Sequence, residues 1–493
     1  MKICLLPLDS RPCTCVFPQQ LAEIAGVELI APPRRLLGFF KQPSVQTQIA
    51  AWLDKACGGC DALVVSVEQL VYGGLIASRQ NERSTEECLA ALEQLRALKK
   101  RYPTLRIYAN NILMRTTVSA VSEESWKWWG QVSVVARLTY EAAVCPPEEK
   151  AACEKALDEA RQKVPPAVLE QFFAARARNK AVNHACVALA GEGVFEQLLI
   201  LQEDCSERGL QWLEQKELEE AIEKNGLREK VFLHNGTDEA AMEQLMLAAQ
   251  PGRAQAVQVV WLGGNTAFTA RYEDRPFADN LAGHMRALDL YPAHEAQDCL
   301  CILPPLDRQG DYCPQRVCDG DYTPAQRAEM AQKVAALYQE GHNCYLLDVA
   351  YANGGDPAFM QRLAQEMPLL SLCGYAAWNT ASNSLGTILG QLCASNGQNG
   401  PLNRRFTAER LLDDLFYQST VREKAERRIR EAGLDFWGFS DQDQAQRILD
   451  ESFAGDLSML RTLFRDKIPG FTARLYWPRT FELEILLKPQ QKL

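Results

Sequence analysis

The sequence predicts an α/β protein in which mainly parallel strands alternate with helices, with a helical insertion and a helical C-terminal region. Two observations predict this class. Ten short, nearly unbroken apolar runs recur along the chain, and amphipathic stretches such as STEECLAALEQLRALKKRY and TPAQRAEMAQKVAALYQEG separate several of them. Unbroken apolar strands suit parallel sheet, because helices cover both of its faces.

Taken in order, the runs are KICLLPL (2–8), VELIA (27–31), ALVVSV (62–67), LRIYAN (105–110), QLLIL (197–201), KVFLH (230–234), VQVVWL (257–262), CLCIL (299–303), CYLLDVA (344–350) and LCGYAA (372–377). Residues 1–119 read as an N-terminal α/β segment. Residues 120–190, with PPEEKAACEKALDEARQK at their centre, read as a helical insertion. Residues 191–400 form a second α/β segment, and 401–493 a charged helical region. That region ends in FTARLYWPRTFELEILL, a predicted strand or hairpin packed back on the body. Ten strands exceed a simple eight-stranded barrel, so a barrel-like fold with extra strands and two doubly wound lobes both stay open.

Composition narrows the classes of function. The 493 residues are long enough for a large core, and 47% hydrophobic with 24% charged residues is a globular profile. A formal charge of −10 argues against nucleic acid as the main partner. The apolar run in MKICLLPLDSRP stops at Asp9 and Arg11, too short for a secretory signal. No apolar stretch approaches the roughly 20 residues of a membrane span. A cytoplasmic location is expected, with no membrane partner; oligomeric state is left open. The seventeen cysteines are irregularly spaced and read as small buried hydrophobes, and CGGC (57–60) is the only CxxC. Walker, GxGxxG, GxSxG and HExxH patterns are absent from the sequence.

Polar residues cluster after the runs, where parallel α/β folds place their sites. Asp9 and Arg11 follow the first run, Glu68 and Gln69 the third, Asn111 the fourth, and Glu203 with Asp204 the fifth. Asp238 and Glu239 follow the sixth; Asn353 and Asp356 follow the ninth; Trp378, Asn379 and Asn383 follow the tenth. Asn379 and Asn383 are four apart, so a helix starting there aligns both amides, beside Trp378 as a platform for a sugar ring. Arg176, Asn179 and Asn183 form one stripe on a predicted helix. Arg176 is a clamp for an anionic ligand or, more readily, a salt bridge to a strand-end acid. Helix capping by Thr237 or Asp238 competes with a catalytic role for Asp238 and Glu239. WKWWG (126–130) reads as a packing or subunit-contact cluster.

LLPLDSRP, VSVEQLVYGGLIASR, NGTDE, DVAYANGGD, AWNTASNSLGT and YWPRTFE, in this order, resemble an uncharacterised bacterial family, domain of unknown function 4127. The resemblance implies no settled activity. Within it, HNGTDE (234–239) is similar to the His-x-Gly-x-Asp-Glu motif of retaining β-N-acetylhexosaminidases. That likeness implies Glu239 as general acid and Asp238 as the residue orienting a substrate group; Glu203 or Asp204, following the neighbouring run, is the expected second carboxylate.

The expectation is a carbohydrate-active enzyme, a glycoside hydrolase on a small oligosaccharide or amino sugar. Its catalytic set is Asp238, Glu239, Glu203 and Asp204, and its substrate contacts are Asp9, Arg11, Asn111, Arg176, Asn179, Asn353, Asp356, Trp378, Asn379 and Asn383. Two alternatives stand beside it. In one, the same acids bind Mg or Mn for a divalent-metal-dependent sugar isomerase or hydrolase. In the other, the chain is a non-catalytic cytoplasmic sugar-binding protein.

Overall fold

Every one of the ten apolar runs forms a strand in the computed structural model, which describes residues 1–80, 83–312, 321–455 and 457–488. Of the two arrangements left open, the chain adopts two open, doubly wound sheets. The strands fall into two compact units. Unit 1 comprises Met1–Cys15, Val27–Ala249 and Tyr272–Arg275; unit 2 comprises Val16–Gly26, Gln250–Arg271 and Pro276–Leu493.

In unit 1, β1 (Lys2–Leu6), β2 (Glu28–Ile30), β3 (Ala62–Ser66), β4 (Arg106–Leu113), β5 (Gln197–Gln202) and β6 (Val231–Asn235) make one sheet in the order 2-1-3-4-5-6. All its pairings are parallel. Cys4, Leu63, Val65, Ile107 and Ile200 point to one face, against helices that include Gln46–Ala56, Thr85–Arg101 and Pro166–Gly191. Asn110 points to the other face and donates to Gln244 of the helix Ala240–Ala249 at 3.0 Å. Helices on both faces explain why the strands read as unbroken apolar runs.

Unit 2 repeats the plan. Here β7 (Gln255–Trp261), β8 (Leu290–Pro292), β9 (Asp298–Leu303), β11 (Asn343–Asp348) and β13 (Gly374–Ala376) stand in the order 13-11-9-7-8, all parallel, while β10 (Gly310–Asp311) pairs with β12 (Tyr351–Ala352) alongside. Read from its first strand, this is again 2-1-3-4-5. The order therefore reverses between the first and third strands of each unit, and the carboxyl ends beside that reversal are where such sheets receive ligands.

Local signals fix the helices. Thr85–Arg101 and Pro324–Gln339 both begin with a capping box, Ser84 with Glu87 and Thr323 with Gln326. The region after residue 400 is helical, as expected, but Leu411–Val421 within it is a π-helix. Arg410 is paired there with Asp413 and Asp414, and Asp414 accepts the Ala377 N–H at 3.0 Å. Wide turns of this kind cost hydrogen-bond geometry and cluster at functional sites. The C-terminal segment is an antiparallel hairpin, β14 (Phe471–Leu475) with β15 (Leu483–Leu487), whose Leu475, Leu483 and Ile485 join the unit 2 core. Among the described residues no helix is long and apolar enough to cross a membrane, and the cysteines are free.

Ile200 lies on β5, flanked by β4 and β6, with no exposed surface. Replacing it with alanine is expected to cost about 2–5 kcal/mol, through lost transfer energy and a residual cavity. Denaturant titration followed by circular dichroism measures it; a loss under about 1 kcal/mol would mean that the site collapses around the smaller residue.

Candidate functional site

Residues 8–14 leave β1 and enter the helix Pro12–Ile24. Asp9 folds back on its own turn: Oδ1 accepts from the Arg11 N–H and Nε at 3.0 Å each and from the Thr14 hydroxyl at 2.8 Å. This fixes the Arg11 guanidinium, whose Nη1 and Nη2 then grip both oxygens of Asp238, at 2.9 and 2.6 Å. The fork joins the ends of β1 and β6 across 227 residues of sequence. All three side chains are buried.

A second guanidinium–carboxylate set lies at the ends of β4 and β5. Glu203 is held by Arg79 (Nε to Oε2, 3.2 Å) and by Arg115 (Nε to Oε1 and backbone N–H to Oε2, both 3.2 Å). Arg115 also pairs with Asp204, and Arg79 donates to the Ser119 hydroxyl at 3.0 Å. Burial, followed by the charge of Arg115, pulls the Arg79 pKa well below the ordinary arginine value; Arg11 and Asp238 also act on it. The two sets therefore form one electrostatic network of three arginines and four acids.

Asp238 and Glu239 are neighbours in opposite surroundings. Asp238 faces the Arg11 guanidinium, whereas Glu239 is fully buried and accepts the Thr237 N–H at 3.0 and 3.1 Å. Burial, then the charge of Glu243, pushes the Glu239 carboxyl well above the carboxylate range, and burial lifts Glu243 itself to about 7. Gly236 makes this packing feasible. Its φ is +137°, and a Cβ there would lie 1.7 Å from Glu239 Oε1. The Glu239 side chain receives the N–H of Thr237, which lies before the first residue of the helix Ala240–Ala249.

Asn111 lies behind this layer. It donates to Glu68 Oε1 at 2.8 Å, as does the Ile112 N–H, and it accepts from Asn183. Burial pushes Glu68 up to about 7 against those hydrogen bonds. The predicted stripe on Pro166–Gly191 is present but faces protein. Arg176 binds both oxygens of Glu214 at 2.7 and 2.8 Å and the carbonyls of Met114 and Arg115; Asn179 donates to the Ser78 and Ala175 carbonyls. The salt-bridge partner expected at a strand end is thus a helical residue, because Gln211–Lys224 packs alongside.

Five expected contacts, Asn353, Asp356, Trp378, Asn379 and Asn383, belong to unit 2. Asn353 has φ +63° and donates to Asp311 at 2.9 Å. Asp356 caps Pro357–Glu366 and pairs with Arg327 at 2.8 Å. Trp378 is buried with its ring 5.3 Å from Phe481. Asn379 has φ +68° and precedes the Thr380 cap of Ala381–Ser395. The predicted alignment of Asn379 with Asn383 therefore fails, since only Asn383 is inside the helix. At the end of β11, burial and then Asp356 push Asp348 up to about 7.

A pocket of about 370 Å³ lies beside Arg79 in unit 1, and Ser119, Glu124, Trp128 and Phe172 help to line it. Trp128 comes from the expected packing cluster WKWWG. Arg79 ends the quoted stretch VYGGLIASR, but nothing in its spacing distinguishes it from a surface helix residue. Arg115 follows β4, which extends three residues beyond the apolar run LRIYAN, and Ser119 carries no local signal. For Mg or Mn the strand-end acids are poorly suited, because Asp9, Asp238, Glu203 and Asp204 each touch a guanidinium that repels a cation.

Glu68 generates a pH prediction. Between its unfolded pKa near 4.5 and its folded value of about 7, the unfolded chain has released the proton that the folded chain keeps. Stability then falls as pH rises through this window, by up to about 1.4 kcal/mol per pH unit. In Glu68→Gln that loss is absent, so the variant gains on the wild type from pH 5 to 7. Denaturant midpoints at pH 5, 6 and 7 measure the difference; a constant difference would place the Glu68 titration elsewhere.

Comparison with known proteins adds one match. No curated protein and no solved structure matches the chain. The family described as "Protein of unknown function (DUF4127)" matches residues 3–486. The network at the ends of β1, β4, β5 and β6 thus lies within a match covering nearly the whole sequence, and the chain belongs to the DUF4127 family.

Proposed function

We propose that this protein is a carbohydrate-active enzyme, a glycoside hydrolase acting on a small oligosaccharide or amino sugar at the strand ends of unit 1. The observation that carries the reading is the contrast between Asp238 and Glu239. Glycoside hydrolysis needs carboxyl groups whose environments divide their roles. Burial raises the Glu239 pKa and so favours the protonated form that a general acid needs, while Asp238 is bound by a guanidinium and suited to orienting a substrate group. Glu239 would pass its proton to the leaving oxygen as the glycosidic C–O bond breaks, and a water that gives up a proton to a carboxylate of the site would form the new C–O bond at the anomeric carbon. Glu203, fixed by two arginines, is the second carboxylate. Because Glu239 has no exposed surface, the reading requires the Gly236–Thr237 turn to open when substrate binds.

A panel of fluorogenic glycosides that includes N-acetylhexosaminides tests this, with and without chelator. Turnover is expected to be insensitive to chelator and to fall by about 10²-fold or more in Glu239→Gln, the scale of a lost general acid. Full activity in Glu239→Gln, or a silent panel with folded protein, would overturn the reading. Turnover lost on chelation would point to the metal-dependent alternative.

A further inference from the structure

We infer that the pocket beside Arg79 is a sugar-ring subsite, taking one neutral polyhydroxylated ring that stacks on Trp128. The inference rests on the reading of unit 1 as a glycoside-processing site and supplies the place and class of one ring. The helical insertion builds much of the pocket. Ser122, Glu124, Ser125 and Trp128 come from the start of the helix Glu123–Val144 or its cap, and Phe172 from Pro166–Gly191.

Three features select the ligand. The first is size: about 370 Å³ is at the lower end of the roughly 300–1,000 Å³ of small-molecule sites, room for one ring with a substituent. The second is the two-sided wall. Met114, Val118, Trp128 and Phe172 offer apolar and aromatic surface, while Ser119 and Gln171 offer hydroxyl and amide groups. A pyranose has the same division, with C–H faces and a hydroxyl edge, and an aromatic side chain suits the former. The third is charge. Arg79 directs Nε and Nη2 at Glu203 and Nη1 at Ser119. Its guanidinium is thus already neutralised, and Glu124 at the wall opposes an anion. The Arg79–Glu203 pair links the pocket wall to one of the strand-end acids of the proposed site.

The test is saturation-transfer NMR titration of the full chain with glucose, N-acetylglucosamine, glucuronic acid and glucose 6-phosphate. Glucose or N-acetylglucosamine is expected to bind, with transfer concentrated on the ring protons of one face. Trp128→Ala should weaken binding at least tenfold, and Trp128→Phe, which keeps an aromatic face, should stay within about threefold. Circular dichroism melts of both variants establish that they are folded, and Ser119→Ala, with a smaller loss of affinity, probes the hydroxyl edge independently. Binding that Trp128→Ala and Ser119→Ala leave within twofold, tighter binding of the two acids, or no binding by any sugar would overturn the proposal. The catalytic reading fails separately: Trp128-dependent binding without hydrolysis leaves the subsite standing. Hydrolysis with a KM untouched by Trp128→Ala overturns the subsite and leaves the hydrolase.

Discussion

The Arg11 fork on Asp238 is the constraint around which the strand ends of unit 1 are organised. Removing a guanidinium and two carboxylates from water costs several kcal/mol per ion, and only close, hydrogen-bonded pairing offsets it. Arg11 meets that condition with Asp9 on one side and Asp238 on the other. Once these charges are buried, the ends of β1 and β6 have little freedom relative to each other. Breaking the fork would leave a buried charge without its counter-charge, which is strongly destabilising.

The same physics sets the chemistry available next to it. A carboxyl beside a guanidinium and a carboxyl buried among other acids have opposite protonation preferences, and here they are sequence neighbours. The chain achieves this over one residue because the strand has ended: Gly236, at positive φ and without a side chain, lets the Glu239 carboxyl tuck beneath the backbone. Glu68, Glu243 and Glu239 then form a set of acids that burial raises. Unit 2, with the same strand order, has its own raised acids in Asp348 and Asp413, the latter on the π-helix. Both units thus bury acids whose pKa burial raises, at strand ends such as that of β11 (Asp348) and on helices (Glu243 and Asp413).

Much of the fold was legible in the sequence. The ten apolar runs are strands because a strand covered on both faces must be apolar throughout, and that pattern needs no knowledge of partners. The short strands Leu290–Pro292, Gly310–Asp311 and Tyr351–Ala352 escaped it, since none lies in an apolar run. The π-helix also escaped, because LLDDLFYQSTV has ordinary helical composition. At the site, Asp9, Arg11, Glu203, Asp204, Asp238 and Glu239 announced themselves by following strands. Arg79 did not, and Arg115 was hidden because β4 runs to Leu113, three residues past the apolar run LRIYAN. Each pairs with Glu203, which lies far along the chain from both.

The sequence by itself determined the α/β class, the parallel strands, the acid-rich strand ends and the family, all of which follow from local pattern. Only the tertiary structure decided between one barrel and two sheets, because strand order depends on which neighbours pair. It alone decided that Arg176 and Asn179 serve protein contacts, that Asn379 lies outside its helix, and that Asp238 and Glu239 experience opposite fields. Those outcomes depend on burial and on partners distant in sequence, and Coulomb and desolvation energies are set by distance in space.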